Sequence, residues 1–252
     1  MKRMLLTLVL VLVALPAIGQ MNPNWEYYRT MRWKAKPGQA QNFMKAAAKK
    51  TQMFNNTPET SIVTYRIRTG PDQGKFERVT PFTDLGHIYS SNPKEMDYWS
   101  KNVSEYVEEP DGAKIWWRIK GWSVNWEPGT TPSKYMEVQV LMIKNGHTAD
   151  FRRIMNRRMQ MLKEHSTRKV AVFKISSGSQ LTEFRVITFF DDPMTARGEW
   201  KTEDFDYEDA YNERHGYNAR DTDNKIFGNS IEMYGNIVET HELVPEMSFM
   251  GN

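Results

Sequence analysis

The sequence predicts an α+β protein made of two tandem βαββαβ units whose antiparallel sheets pack together, with the helices outside. Three observations predict this fold class: an internal repeat at an offset of 108 residues, the same order of periodic segments in each half, and a polar joint between the halves. The expected units span residues 20–128 and 129–252, after a short N-terminal segment. Each unit is expected to contribute one sheet to a single compact protein.

The N-terminal segment has the three parts of a secretory signal peptide. Lys2 and Arg3 precede an apolar run at 5–18, and small residues follow it. A membrane anchor is the alternative, but the run is short for a bilayer span and Pro16 interrupts it. We therefore expect residues up to about Gly19 to be cleaved. The mature chain would then be exported, to the periplasm or the medium, without a transmembrane segment.

Composition excludes several classes of protein. Loss of the two N-terminal cations lowers the net charge from +3 to +1, so bulk charge does not suggest a nucleic-acid partner. The chain has no cysteine, which excludes disulfides, thiolate metal sites and a cysteine nucleophile. About 230 mature residues can bury a sufficient core without such cross-links. Composition leaves open whether the protein is a monomer or a homodimer.

The internal repeat is visible when residues 27–84 are laid over 135–192 without a gap. Twelve of the 58 aligned positions are identical, several times the number expected for unrelated chains of this composition. The identities include Gly38 with Gly146, Phe43 with Phe151, Ile67 with Ile175, Gly70 with Gly178, and Phe76 with Phe184. We interpret the alignment as an internal duplication.

Each half is predicted in the order strand, helix, hairpin, helix, strand. The expected strands are 27–36, 61–69, 75–83 and 114–126 in the first half, and 134–144, 169–177, 183–190 and 231–243 in the second. Apolar residues at helical spacing, such as Phe43, Ala47 and Phe54, predict the first helix. Crossover connections share one hand, so both helices of a ferredoxin-like unit lie on one face of its sheet. The bare faces can then meet, with the segment 125–134 as the joint.

These features resemble the dimeric α/β-barrel superfamily, and within it the antibiotic-biosynthesis-monooxygenase-like and NIPSNAP-like proteins. The residues that carry the resemblance are "KPGQAQNF" and "KNGHTADF" after the first strand of each half, together with the hairpin "TGPDQGKF". The resemblance covers nearly all of the mature chain. It implies that the fold can accommodate cofactor-independent oxygenases or haem-handling enzymes, although fold alone does not establish an activity.

Strand alternation predicts a basic face. In the second strand, Tyr65 and Ile67 are expected under the helices, which leaves Arg66 and Arg68 on the bare face. The same argument places Met31, Trp33, Ile115 and Trp117 under the helices. The expected ligand surface between the sheets consists of Arg32, Arg66, Arg68, Arg118, Trp116 and Trp122. Such a surface would suit an anionic, aromatic small molecule, because arginine binds carboxylates and phosphates through two donors. The alternative is a solvated face whose charges lie in water.

No catalytic signature accompanies this surface, so the sequence leaves open whether the protein is an enzyme. The five histidines lack the spacing of a metal site, and the sequence predicts no bound metal. His87 is the best single candidate for a haem ligand or a proton-transfer group, with a structural histidine as the alternative. We expect no cofactor unless it is haem. The predicted function is binding of a small anionic or aromatic molecule, and the alternative is a monooxygenase-like or haem-handling enzyme.

Overall fold

The computed structural model describes residues 24–195 and 198–250. The predicted signal peptide, residues 1–19, and its cleavage point lie outside these residues. Over the described ranges the protein is α+β, with eight antiparallel strands that form a closed barrel and six α-helices. No helix of these ranges combines the length and the apolar character that a bilayer crossing requires.

The barrel contains strands from both halves of the chain. The strands are β1 (Tyr27–Trp33), β2 (Val63–Ile67), β3 (Phe76–Phe82), β4 (Lys114–Arg118), β5 (Tyr135–Ile143), β6 (Lys169–Ser177), β7 (Glu183–Phe190) and β8 (Ile231–Leu243). Around the barrel their order is β1-β3-β2-β8-β5-β7-β6-β4. The first half therefore reads β4-β1-β3-β2 and the second reads β8-β5-β7-β6, so the strand order is the same in each.

The two sheets meet edge to edge, which differs from the predicted packing of one bare face on the other. Strand β2 pairs with β8, placing Tyr65 opposite Leu243, and β4 pairs with β6, placing Arg118 opposite Phe173. Both junctions are antiparallel and hydrogen-bonded. Closure of the barrel satisfies the backbone hydrogen bonds of the edge strands in both sheets, because each edge strand pairs with an edge strand of the other half. The bare faces thereby become the inside of one barrel.

The helices lie outside the barrel. They are α1 (Ala40–Phe54), α2 (Leu85–Ile88), α3 (Pro93–Asn102), α4 (Thr148–His165), α5 (Tyr207–His215) and α6 (Ala219–Ser230). Asn92 begins α3 by accepting hydrogen bonds from the amides of Lys94 and Glu95, and Asp206 begins α5 in the same way. These side chains satisfy amides that have no partner within the helix.

Phenylalanine pairs attach the long helices to the barrel. Phe43 of α1 packs on Phe76 of β3 with ring centroids 5.3 Å apart, and Phe151 of α4 packs on Phe184 of β7 at 4.7 Å. All four side chains are buried. Burial of one such ring stabilises the fold by about 1.5 to 3 kcal/mol. These contacts form the outer cores, which leaves the barrel interior as a separate space.

Candidate functional site

Alternation along the strands decides which residues line the barrel interior. On β1 the interior residues include Tyr28 and Arg32, whereas Trp33 packs outside with the α1 and α3 side chains. On β2 the interior residues are Val63 and Tyr65. The prediction that Tyr65 and Ile67, which share one face of this strand, lie under the helices is therefore wrong. A closed barrel has two buried faces, so apolar residues are required on its inside as well as under the helices.

An aromatic cavity of about 110 Å³ occupies one end of the interior. The side chains that shape it include Trp25, Tyr28, Tyr65, Trp116, Trp126, Met136, Phe173 and Phe189. Most of these residues are buried, and all of them except Met136 are aromatic. An apolar cavity of about 150 Å³ holds one benzene molecule in a well-studied case. The volume here is thus on the scale of a single aromatic ring.

The joint between the two halves covers the mouth of this aromatic cavity. Pro128, Gly129 and Ser133 of the joint contribute to its lining, and Tyr65 Oη donates to the Ser133 carbonyl oxygen at 3.4 Å. Trp126 stacks on Phe189 with centroids 5.1 Å apart and planes 5° from parallel. The joint therefore does more than connect the halves, because it forms part of the wall of the aromatic cavity.

Two polar groups in the aromatic cavity have unused hydrogen-bond donors. The Tyr28 hydroxyl and Arg185 Nε are both buried, and neither has a partner among the described residues. Burial raises the pKa of Tyr28 well above its ordinary value, although the charge of Arg118 acts in the opposite direction. The phenol thus keeps its proton and can donate it. A buried donor without a partner is costly, so these groups favour a ligand that accepts hydrogen bonds.

An ionic cluster forms the floor of the aromatic cavity. Glu77 accepts hydrogen bonds from Arg185 Nη1 at 2.9 Å and from Arg32 Nε at 3.1 Å. Arg32 also donates to both carboxylate oxygens of Glu239, at 2.9 and 2.6 Å. His241 Nε2 lies 3.0 Å from Glu239, and the Arg185 guanidinium lies 4.2 Å from the centre of the Trp116 ring. The cations of the interior are thus countered by carboxylates of the same chain.

The ionic cluster holds its carboxylates in the charged state. Burial would raise the pKa of Glu77, but the charges of Arg185 and Arg32 outweigh it and hold the pKa well below its ordinary range. The pKa of Glu239 is also lowered, since its contacts with His241 and Arg32 outweigh the effect of burial. Neither carboxylate is therefore a strong base at neutral pH. The cluster orients Arg185 beneath the aromatic cavity.

Three of the predicted surface residues lie in the interior, in different places. Trp116 lines the aromatic cavity, and its Nε1 donates to Thr30 Oγ1 at 2.9 Å. Arg32 belongs to the ionic cluster. Arg118 lies beside the Trp126 ring, 5.9 Å from its centre, and pairs with Glu127. The predicted single basic surface is thus divided, and Arg32 and Arg118 have carboxylate partners within the chain.

Three residues of the predicted ligand surface lie outside the barrel interior. Arg66 and Arg68 are on the outer face of the sheet, because β2 has the opposite orientation to the one predicted. Trp122 lies under α4 against Phe151 and Phe184. It follows β4 in a 3₁₀ turn, where strand alternation no longer applies. Trp117, expected under the helices, is 39% exposed.

His87 lies outside the barrel interior. It lies on α2, its side chain is 70% exposed, and its Nδ1 is 2.6 Å from Asp84. His241 is enclosed by Glu77 and Glu239, and neither histidine lines the aromatic cavity. The aromatic cavity is also on the scale of one ring, far smaller than a haem. The residues present therefore do not fit a haem held by histidine inside the barrel.

Several residues of the site were not predicted. Glu77 and Arg185 stand 108 residues apart, at matching positions of the repeat, and they bond to each other in the interior. The signal was present in "FERV" and "EFRV", where Glu77 and Arg185 stand among the apolar residues of their strands. A charged side chain in a strand buried on both faces requires a partner, so two such charges of opposite sign indicate an internal pair.

Comparison with known proteins supports the fold. No protein-family model and no curated protein matches the sequence. A candidate monooxygenase from Lactobacillus acidophilus NCFM has a similar structure, with a TM-score of 0.55 and 10% identity over 90% of this chain and 97% of the other. A candidate monooxygenase from Fusobacterium nucleatum has a TM-score of 0.54 and 10% sequence identity, over 87% of this chain and 92% of the other. A candidate chlorite dismutase has a TM-score of 0.51 and 14% sequence identity, over 88% of this chain and 96% of the other.

These similarities extend over nearly the whole of each compared chain, so they concern the complete barrel rather than one sheet. At 10 to 14% identity they establish the architecture and leave the chemistry open. The expected resemblance to the dimeric α/β-barrel fold is confirmed at this level. The chain has the closed α/β-barrel fold of structures named as candidate monooxygenases and a candidate chlorite dismutase.

Proposed function

We propose that the protein binds a small aromatic molecule, neutral and bearing one hydrogen-bond acceptor, in the aromatic cavity. The observation that carries the proposal is the pairing of an aromatic wall with two buried donors, Tyr28 Oη and Arg185 Nε, that lack partners among the described residues. Aromatic walls favour flat apolar ligands, and a few polar groups orient them. The countered charges of the ionic cluster favour a neutral ligand over the anion that the sequence suggested.

A matched pair of probes tests the proposal. 4-Methylphenol carries a ring and an acceptor oxygen, whereas toluene has almost the same shape without the oxygen. Titration calorimetry should show that Tyr28→Phe weakens 4-methylphenol binding about 2- to 10-fold, the effect of one hydrogen bond, and leaves toluene binding unchanged. Tyr217→Phe is the control, because Tyr217 is fully exposed between α5 and α6 and does not line the aromatic cavity. Equal losses for both probes would contradict the assigned role of the hydroxyl.

Filling the aromatic cavity tests its location. Val63 lines the cavity and is 9% exposed, so Val63→Phe should place a ring in the space and lower the affinity for both probes at least tenfold. Val238→Phe adds the same ring at a position of β8 that is 47% exposed, and it should bind normally. Thermal unfolding of both variants controls for folding. Unchanged binding in a folded Val63→Phe protein would refute the proposal.

The alternative is a cofactor-independent oxygenase that acts on the molecule in the same cavity. One observation favours it, which is that the Glu77 carboxylate lines the aromatic cavity and would be the proton acceptor there, although the charges of Arg185 and Arg32 make it a weak base. One structural neighbour is named as anthrone oxidase-like. The three fused rings of anthrone exceed the aromatic cavity, so the single-ring 4-methylphenol is the trial substrate. Simple binding predicts no oxygen uptake above background. Oxygen uptake that disappears in Val63→Phe would favour the enzyme instead.

We also propose that the protein is exported and cleaved close to Gly19. The charged start, the short apolar run and the small residues after it support this proposal. Mass spectrometry of the periplasmic and secreted fractions should find a mature chain that begins at Gln20. A chain that retains residues 1–18 in the membrane fraction would contradict it.

A further inference from the structure

A second cavity of about 520 Å³ lies outside the barrel, between its outer face and helices α1 and α3. Strands β1 and β3 form one wall, the two helices form another, and the segment 88–92 forms the rim. This outer cavity shares no lining residue with the aromatic cavity. The two spaces are therefore separated by the barrel wall, and they can be tested independently.

Three cations and one carboxylate line the outer cavity. The cations are Arg29, Lys50 and Arg78, and the carboxylate is Glu95. Glu95 is already paired with Lys50 Nζ, which also donates to Asn55 at 2.7 Å. Arg29 and Arg78 thus have no carboxylate bonded to them among the described residues. This excess of positive charge contrasts with the countered charges inside the barrel.

Arg78 is the least satisfied of these cations. It is 3% exposed, and only Nη2 has a bonded partner, Thr51 Oγ1 at 2.7 Å. Its Nε and Nη1 are buried without partners among the described residues. Burial lowers the pKa of Arg78 to about 10, with Glu95 opposing, and burial together with the charge of Arg78 lowers the pKa of Lys50 to about 8. A buried guanidinium with unused donors calls for an anion.

The fold itself does not require this arginine. The position 108 residues later is Val186 on β7, which lies in the corresponding space under α4. Glu137 is likewise at the position that matches Arg29. The architecture therefore accepts a valine and a carboxylate at these two places. The paired cations are particular to the outer cavity of the first half.

The rest of the outer cavity is apolar and aromatic. Trp33 and Trp99 form its inner wall with ring centroids 4.6 Å apart, and the Arg78 guanidinium lies 5.3 Å from the centre of the Trp99 ring. Tyr89 and Met96 line the cavity as well, although they are 79% and 61% exposed. Large exposed apolar side chains at the edge of a cavity are typical of a binding surface.

We propose that the outer cavity binds an organic carboxylate with a flat apolar body, such as an aryl carboxylate. Arg78 and Arg29 hold the carboxylate, because neither is bonded to a carboxylate among the described residues, and Nε and Nη1 of Arg78 lack partners there. Trp33 and Trp99 contact the apolar body, and Tyr89 and Met96 cover it from the rim. This site is independent of the proposed function of the barrel interior. It would bind the class of ligand that the sequence suggested, an anionic aromatic molecule, but outside the barrel rather than between the sheets.

Binding of 2-naphthoate, measured by titration calorimetry, tests this site. The neutral 2-naphthamide should bind at least tenfold more weakly, and inorganic phosphate should not compete, because it lacks the apolar body. Arg78→Gln should lower the affinity for 2-naphthoate at least tenfold. Arg66→Gln is the matched control, since Arg66 lies on the outer face of the neighbouring strand but does not line the cavity. Arg29→Gln provides a second variant in case Arg78→Gln fails to fold.

The two sites give distinguishable results. Val63→Phe, which fills the aromatic cavity, should leave 2-naphthoate binding unchanged, and Arg78→Gln should leave 4-methylphenol binding unchanged. Normal 2-naphthoate affinity in folded Arg78→Gln and Arg29→Gln variants would overturn the proposal. Equal binding of naphthoate and naphthamide would overturn it too, as would the absence of naphthoate binding to the wild-type protein at millimolar concentration.

Discussion

Replacing Glu77 by Gln should destabilise the protein more than the loss of any surface ion pair. Glu77 is the carboxylate partner of Arg185 among the described residues, and the two side chains are 1% and 4% exposed. The variant leaves the Arg185 charge buried without a counter-ion, whereas Arg32 keeps Glu239. Breaking a buried pair in this way costs about 3 to 5 kcal/mol. Such a loss is a large part of the total stability of an ordinary domain.

The magnitude can be measured by urea unfolding followed by circular dichroism, with Asp97→Asn as the control. Asp97 pairs with Lys101 on α3, and both side chains are more than half exposed, so its loss should cost less than about 1 kcal/mol. The double variant Glu77→Leu, Arg185→Leu removes both charges. It should be much more stable than the sum of the single changes implies, because no uncompensated charge remains.

The stability of the protein at acid pH provides a second measure of the contribution of the Glu77–Arg185 pair. The folded pKa of Glu77 lies below its ordinary value of 4.5, so its contribution to stability is complete above about that pH and is lost as the pH falls. The wild-type protein should therefore lose more stability on acidification than Glu77→Gln does. A cost for Glu77→Gln below about 1 kcal/mol, with strictly additive behaviour of the double variant, would refute this account of the ionic cluster.

Two further predictions concern other parts of the fold. Burial lowers the pKa of Lys50 from 10.5 to about 8. Between pH 8 and 10.5 the unfolded chain therefore carries a proton on Lys50 that the folded chain lacks. The free energy of unfolding should rise with pH in this range. Urea titrations from pH 8 to 10 should show a gain of about 2 kcal/mol relative to Lys50→Met, and parallel curves would contradict it. Gly178 has φ +90°, and a Cβ there would lie 2.2 Å from the Ala113 carbonyl oxygen, whereas at Gly146, with φ +85°, it would meet nothing within 4 Å. Gly146→Ala should cost about 1 kcal/mol and Gly178→Ala more than about 3, by thermal unfolding, and equal costs would show that the clash is relieved.

Much of the architecture could be predicted because it depends on local periodicity. Phe43 and Phe151 stand at matching places of an amphipathic helix, and both are fully buried against the barrel. Gly70 and Gly178 both adopt positive φ in the hairpin turns, as matched glycines in a repeat suggest. Each of these features is decided within about 20 residues of chain, so the alternation of residue types is sufficient to show it.

The orientation of β2 could not be predicted from alternation alone. Tyr65 and Ile67 are apolar whether they lie under a helix or inside a barrel, so their pattern does not separate the two faces. What decides between them is the pairing of Tyr65 with Leu243, which joins distant parts of the chain. The ionic cluster escaped prediction for the same reason, since Arg32 and Glu239 are 207 residues apart.

The most direct test of a ligand site inside the barrel is a crystal structure of the protein soaked with 4-bromophenol. Bromine scatters anomalously, so its position can be found without interpreting weak density. The account predicts a bromine peak in the aromatic cavity, between Trp116 and Phe173, with the phenol oxygen within hydrogen-bond distance of Tyr28 Oη or Arg185 Nε. An empty aromatic cavity at saturating 4-bromophenol, or a peak found only on the outer surface, would contradict it.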